Sequence, residues 1–121
     1  MDPTPKILYI DDEADLLDLA VSFFEDENMM IDTCTNFQAA LEMIKLKKYD
    51  LIISDERMPS GSGHELMAII KSENIFQGKT IMVTGNIDSS GEQHDKGYDL
   101  ILFKPLHFQE LIDHVKKILL V

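Results

Sequence analysis

Cysteine is nearly absent from this chain: Cys34 is the only one. No internal disulfide can form, and such usage fits a reducing compartment. Cys34 falls in a run of strand character and reads as a small buried hydrophobe rather than a nucleophile. Basic residues are also scarce, with 11 Lys and Arg against 22 Asp and Glu and a formal net charge of −11. Too few cations are present to displace phosphate counterions, so neither direct nucleic-acid binding nor binding to an anionic membrane is expected. No apolar stretch reaches the roughly 18 residues of a membrane-spanning helix. The opening Met1-Asp2-Pro3-Thr4-Pro5 lacks a basic segment followed by an apolar one. That argues against a signal peptide and leads to the expectation of a cytoplasmic protein. Repeats, low-complexity tracts and linkers are missing too.

What the chain does have is apolar material in two periods. Hydrophobic residues make up 45% of 121 positions, enough for one packed domain over residues 1–121. Strand-length apolar runs stand near 6–10, 30–34, 50–54, 80–84 and 99–103. Four of the five are almost continuous, as expected for strands covered on both faces. The mixed run Met30-Ile31-Asp32-Thr33-Cys34 suits a sheet edge. Between the runs lie stripes of helical period: Leu16, Leu17, Ala20, Val21 and Phe24; Phe37, Ala40, Leu41 and Ile44; Leu66, Ile69 and Ile70; and Phe108, Leu111, Ile112, Val115, Ile118 and Leu119. Asn36 is a candidate N-cap for the second, and Ser62 with Glu65 a candidate capping box for the third. Strands alternating with helices over short connections predict a parallel α/β sandwich, with ligands outside the carboxyl ends of the strands. Residues 85–97 are the exception. They hold three glycines and one aliphatic residue, Ile87, which predicts a short, frayed or mobile fourth helix, or a loop.

The chemistry-bearing residues sit where the runs end. Ile7 to Ile10 leads into Asp11 and Asp12, Leu51 to Ser54 into Asp55, Ile81 to Val83 into Thr84, and Leu100 to Phe103 into Lys104 and Pro105. Alone, each has an ordinary reading: acids at a helix N-terminus, a loop aspartate, a β-branched strand residue, a surface lysine. Together, on neighbouring parallel strands, they gather three carboxylates, a hydroxyl and an ammonium. Such a set can hold a divalent cation, offer a carboxylate nucleophile and grip phosphoryl oxygens. The Lys104-Pro105 bond is a candidate cis peptide that aims the lysine. His64, His94, His107 and His114 show no ligand spacing and read as surface residues.

In order and separation, Ile10-Asp11-Asp12-Glu13, Asp55-Glu56-Arg57-Met58-Pro59 with Gly63 beyond, Val83-Thr84-Gly85 and Lys104-Pro105-Leu106 resemble the receiver domains of two-component response regulators. The resemblance covers essentially the whole chain. It implies a flavodoxin-like fold, a five-stranded parallel sheet of order 2-1-3-4-5 with helices on both faces. It implies that Asp55 takes a phosphoryl group from a sensor histidine kinase or a phosphotransfer protein. Mg²⁺ would be held by Asp12 directly, Asp11 through water, Asp55, and the backbone carbonyl of Arg57, while Thr84 and Lys104 would hold phosphoryl oxygens. A downstream protein effector or an output domain, or a phosphorylation-dependent dimer, would read the switched surface. The module would regulate rather than turn over substrate, beyond its own phosphoryl transfer and hydrolysis.

The chain departs from the family pattern at Ile101, where many receivers carry an aromatic residue three positions before the lysine. Phe103 shares the side-chain parity of Ile101 along the strand. The alternative reading is a receiver-fold interaction module that signals independently of phosphorylation. A phosphatase of the haloacid dehalogenase type is disfavoured, because Arg57 stands where that chemistry wants a second Asp. Flavin binding is disfavoured by an acidic first loop. The sequence ends at Val121, which fits either a single-domain regulator or a receiver cut from a longer protein. Arg57 and Asn86 would flank the acceptor and tune its lifetime.

Overall fold

The computed structural model describes residues 4–85 and 98–121. The elements in chain order are β1 Lys6–Ile10, α1 Ala14–Asp26, β2 Met30–Cys34, α2 Phe37–Leu46, β3 Leu51–Asp55, β4 Arg57–Met58, β5 Gly61–Ser62, α3 Gly63–Ser72, β6 Lys79–Thr84, β7 Leu100–Phe103 and α4 Phe108–Leu119. Five strands form one sheet of order β2-β1-β3-β6-β7, with every neighbouring pair parallel. This is the 2-1-3-4-5 order expected, with the mixed run β2 at one edge. Except for Gly85, the segment expected to be short or frayed lies outside the described residues, as do Asn86 and His94. Among the described residues, no helix is long and apolar enough to cross a membrane.

The apolar runs form strands because both faces of the sheet are covered, so side chains alternate between two cores. On one face Ile7, Tyr9, Leu51, Ile53, Ile81 and Val83 pack against Leu17, Ala20 and Phe24 of α1 and Leu111, Ile112 and Val115 of α4. On the other, Leu8, Ile10, Ile52 and Met82 pack against Phe37, Ala40, Leu41 and Ile44 of α2 and Leu66, Met67 and Ile70 of α3. Each fully buried aliphatic side chain contributes about 1.5–3 kcal/mol, and this two-sided burial anchors the strand ends that carry the site.

Two caps act as the sequence suggests. Asn36 Oδ1 accepts the Ala39 amide at 2.8 Å, and Ser62 Oγ accepts the Glu65 amide at 3.1 Å. Each satisfies an N–H that the first helical turn leaves open. The Glu65 carboxylate meets the Ser62 hydroxyl at 3.4 Å, rather than closing a box onto the backbone. The antiparallel ribbon of β4 and β5 was not expected. It reverses through Pro59 and Ser60, with Ser60 at φ 68°, and it brings the chain directly from the end of β3 to the start of α3.

Candidate functional site

Backbone hydrogen bonds continue past the strand ends and fix the side chains that follow. The Asp11 amide donates to the Cys34 carbonyl at 3.1 Å, the Glu56 amide to the Val83 carbonyl at 2.9 Å, and the Lys104 amide to the Thr84 carbonyl at 2.9 Å. Asp11, Asp55 and Thr84 are therefore buried, at 1%, 6% and 1% exposure, while Asp12 is open to solvent. Asp11, Asp12 and Asp55 each bring a carboxylate oxygen to within 4.8 Å of the others. Lys104 Nζ donates to Asp55 Oδ2 at 3.2 Å and stands 4.0 Å from Asp11 Oδ2. The Lys104-Pro105 bond is cis. Asp12, Asp55, Glu56, Arg57, Gly85 and Lys104 line an open cavity of about 360 Å³ above these groups.

Burial sets the electrostatics. It pushes the Asp11 carboxyl up to about 6; the Glu13 amide opposes the shift and the Asp55 charge adds to it. That amide donates to Asp11 Oδ1 at 2.9 Å. Burial also raises Asp55, against the pull of the Lys104 ammonium. For Lys104 burial acts against the charge, yet the neighbouring Asp55 prevails and holds the ammonium above its ordinary value. Three carboxylates face one ammonium, an excess of two negative charges in a half-dry crevice. Hard oxygen donors with that excess match a divalent cation such as Mg²⁺, and a bound cation would relieve the desolvation that now falls on Asp11. The donor set fits the metal the sequence implied.

Sequence reasoning missed a polar group beside this cluster. Glu56, directly after Asp55, accepts the Thr84 hydroxyl on Oε1. Its Oε2 lies 2.8 Å from His64 Nε2. His64 Nδ1 in turn meets the Tyr98 hydroxyl. His64 was read as a surface residue; it is half-buried and bonded through both ring nitrogens. It lies at the start of α3, its side chain 29% exposed and that of Glu56 14%, because the β4–β5 ribbon folds α3 back beside β3. His107 is exposed and His114 half-buried. Cys34 is half-buried at the end of β2, and burial pushes its thiol up to about 11, so it stays protonated and unreactive.

Residues 7–116 match the family described as response regulator receiver domain. The chain belongs to this family. It is similar to the transcriptional regulatory protein ResD of Bacillus subtilis, 31% identical over 114 residues, covering 94% of this chain and 48% of ResD. The CpxR homolog of Haemophilus influenzae is 32% identical over 121 residues, covering 94% of this chain and 50% of that protein. The receiver thus spans about half the length of the curated relatives it matches. Among solved structures, the receiver domain of Francisella response regulator 1452 superposes with a TM-score of 0.89 at 27% identity, covering 96% of this chain and 97% of that one. The response regulator TrrA of Thermotoga maritima, solved in complex with Mg(2+)-BeF, gives a TM-score of 0.84 at 30% identity, covering 95% of this chain and 99% of TrrA.

Proposed function

We propose that residues 1–121 act as one phosphoacceptor module of a two-component phosphorelay, with Asp55 as the acceptor. One observation carries the reading: a buried Asp55 carboxylate faces the cavity with the Lys104 ammonium 3.2 Å from it and two further acids beside it. Asp12, Asp11, Asp55 and the Arg57 carbonyl would hold Mg²⁺, whose charge would offset that of the incoming phosphoryl oxygens. A carboxylate oxygen of Asp55 attacks phosphorus on a phosphohistidine of a sensor kinase or phosphotransfer protein. The P–O bond forms as the P–N bond breaks, and the imidazole nitrogen keeps the electron pair and takes a proton from water. Lys104 then shifts its ammonium from the Asp55 carboxylate to a phosphoryl oxygen, and the Thr84 hydroxyl donates to another. The readout is a protein effector, an output domain or a second copy, and the setting is the cytoplasm.

Intact-mass measurement after incubation with a small phosphodonor and Mg²⁺ tests the assignment. One phosphoryl group is expected on the wild type and none on Asp55→Asn. Equal modification of the variant would reject Asp55 as the acceptor. The absence of an aromatic residue at position 101 favours one competing reading, an interaction module indifferent to phosphorylation. Phosphorylation of Asp55 without any change in the amide spectrum beyond the cavity would support it.

A further inference from the structure

Thr84, Glu56, His64 and Tyr98 form one hydrogen-bonded line from the phosphoryl site to Tyr98, two positions before β7. A carboxylate only accepts, so the His64 proton on Nε2 points to Glu56 Oε2. In the neutral ring Nδ1 is then an acceptor, and the Tyr98 hydroxyl donates to it. Burial, with the Glu56 charge adding, pushes that phenol up to about 12, so its proton is retained. Thr84 donates to the other Glu56 oxygen. All three protons run toward one largely buried carboxylate, where such bonds are stronger than at the surface.

Thr84 has one hydroxyl proton. It cannot serve Glu56 and a phosphoryl oxygen together. We propose that Glu56 is a positioning residue that holds the Thr84 hydroxyl away from Asp55 before phosphorylation, and that its loss of this donor is relayed through His64 to Tyr98. The proposal rests on the reading of Asp55 as acceptor. The phosphoryl group would take the Thr84 proton and bring negative charge beside Glu56, whose carboxylate must then turn toward other donors. His64 follows, since it is bonded to the oxygen opposite Thr84. Tyr98 responds as a side chain, because the next residue is tied down. The Asp99 amide donates to the Thr80 carbonyl at 3.1 Å, and Asp99 Oδ2 accepts the Thr80 amide at 2.9 Å. Ile101 has no polar group with which to take part. This line offers a route by which the chain reports the state of Asp55 without an aromatic residue at that position.

The test uses beryllofluoride with Mg²⁺ as the phosphoryl mimic and protein labelled with ¹³C in the tyrosine rings, the Tyr98 signal being assigned from Tyr98→Phe. In the wild type the Tyr98 signal moves at saturation. In Thr84→Val, which keeps shape and loses the proton donor, it stays still although the mimic is bound. In Glu56→Gln the mimic binds about five- to tenfold more tightly, since a neutral acceptor holds the hydroxyl less firmly. That gain shrinks by about threefold or more when Thr84→Val is already present, the mark of two groups acting through each other. Should Thr84→Val fail to fold, His64→Gln breaks the line at a part-exposed position, and the same silence of Tyr98 is expected. A Tyr98 signal that moves equally in the variants, or strictly additive affinities, would overturn the role given to Glu56 while leaving Asp55 as acceptor. Failure of the wild type to bind the mimic at all would overturn both.

Discussion

Asp11 should destabilise the protein whenever magnesium is withheld. Its carboxyl is displaced from 3.8 to about 6 by burial. That is about two units, and at ~1.4 kcal/mol each the ionised group costs the metal-free fold about 3 kcal/mol near neutrality. An acid raised in the folded state binds more protons there than in the unfolded chain. The metal-free protein therefore loses stability as pH rises from about 4 through about 6. Asp11→Asn keeps an acceptor for the Glu13 amide, which sits 2.9 Å from Oδ1. It gives up only a 4.0 Å contact with Lys104. Allowing for an amide nitrogen that must find a partner, a gain of about 2 kcal/mol is expected at pH 7.5 in EDTA, or roughly 6–10 °C in Tm. Urea and thermal unfolding at pH 5 and pH 7.5 provide the assay. The pH slope should flatten in the variant without vanishing, because Asp55 is raised as well. Added Mg²⁺ should stabilise the wild type more than the variant, which keeps Asp12 and Asp55 but lacks the third carboxylate. A variant less stable than the wild type in EDTA at pH 7.5, or one with the full pH slope, would refute the reasoning.

Gly63→Ala would place a Cβ 2.7 Å from the Asp55 carbonyl oxygen and 2.6 Å from Met82 Sδ. The backbone oxygen cannot yield, so a loss of about 1–3 kcal/mol in urea unfolding is expected together with weaker beryllofluoride binding, and unchanged values for both would be contrary evidence. Tyr49→Phe removes the hydroxyl that donates to Asp32 Oδ2 at 2.6 Å, the main reason the Asp32 carboxyl lies below its usual value. At pH 7 the loss should be about 1 kcal/mol. Because a lowered folded value stabilises only above the unfolded one, the difference from wild type should shrink as pH falls below about 4, and a pH-independent difference would contradict the linkage.

How far the sequence could be read depended on the length over which each feature repeats. β1 and β3 were legible because burial on both faces turns a strand into an unbroken apolar run, and every residue of β3 is indeed buried. Asp11, Asp12, Asp55 and Lys104 were legible as a convergent group because each directly follows or closes such a run, and parallel strands put those ends on one side of the sheet, whereas the Thr84 hydroxyl bonds Glu56. The β4–β5 ribbon was not legible. Its strands are two residues long, too short for any period to show. His64 was misread for a related reason. Its partners lie 8 and 34 positions away in sequence, and no local pattern marks a contact made by folding α3 back beside β3. Glu56 could have drawn notice from its place next to Asp55, but an acid at that position reads equally well as part of a solvated loop.

The division between what was legible and what was not is also a division between what is rigid and what can turn. The strand ends are pinned by two close-packed cores, whose side chains have few alternatives to the arrangement they occupy. Nothing there can answer a new charge on Asp55 except by breaking packing worth several kcal/mol. Glu56 and His64 stand outside both cores at the rim, 14% and 29% exposed, held by directional bonds to Thr84 and Tyr98. Exchanging one hydrogen bond for another costs far less than emptying a core site. On the reading proposed above, a signal that begins as charge at the end of β3 finds its least resisted path along this polar rim, on the side of the sheet where α3 packs. On that reading the hydrophobic cores serve the switch by staying still: they fix the Asp55 backbone, and the Lys104 ammonium and the Thr84 hydroxyl are the groups that change partner.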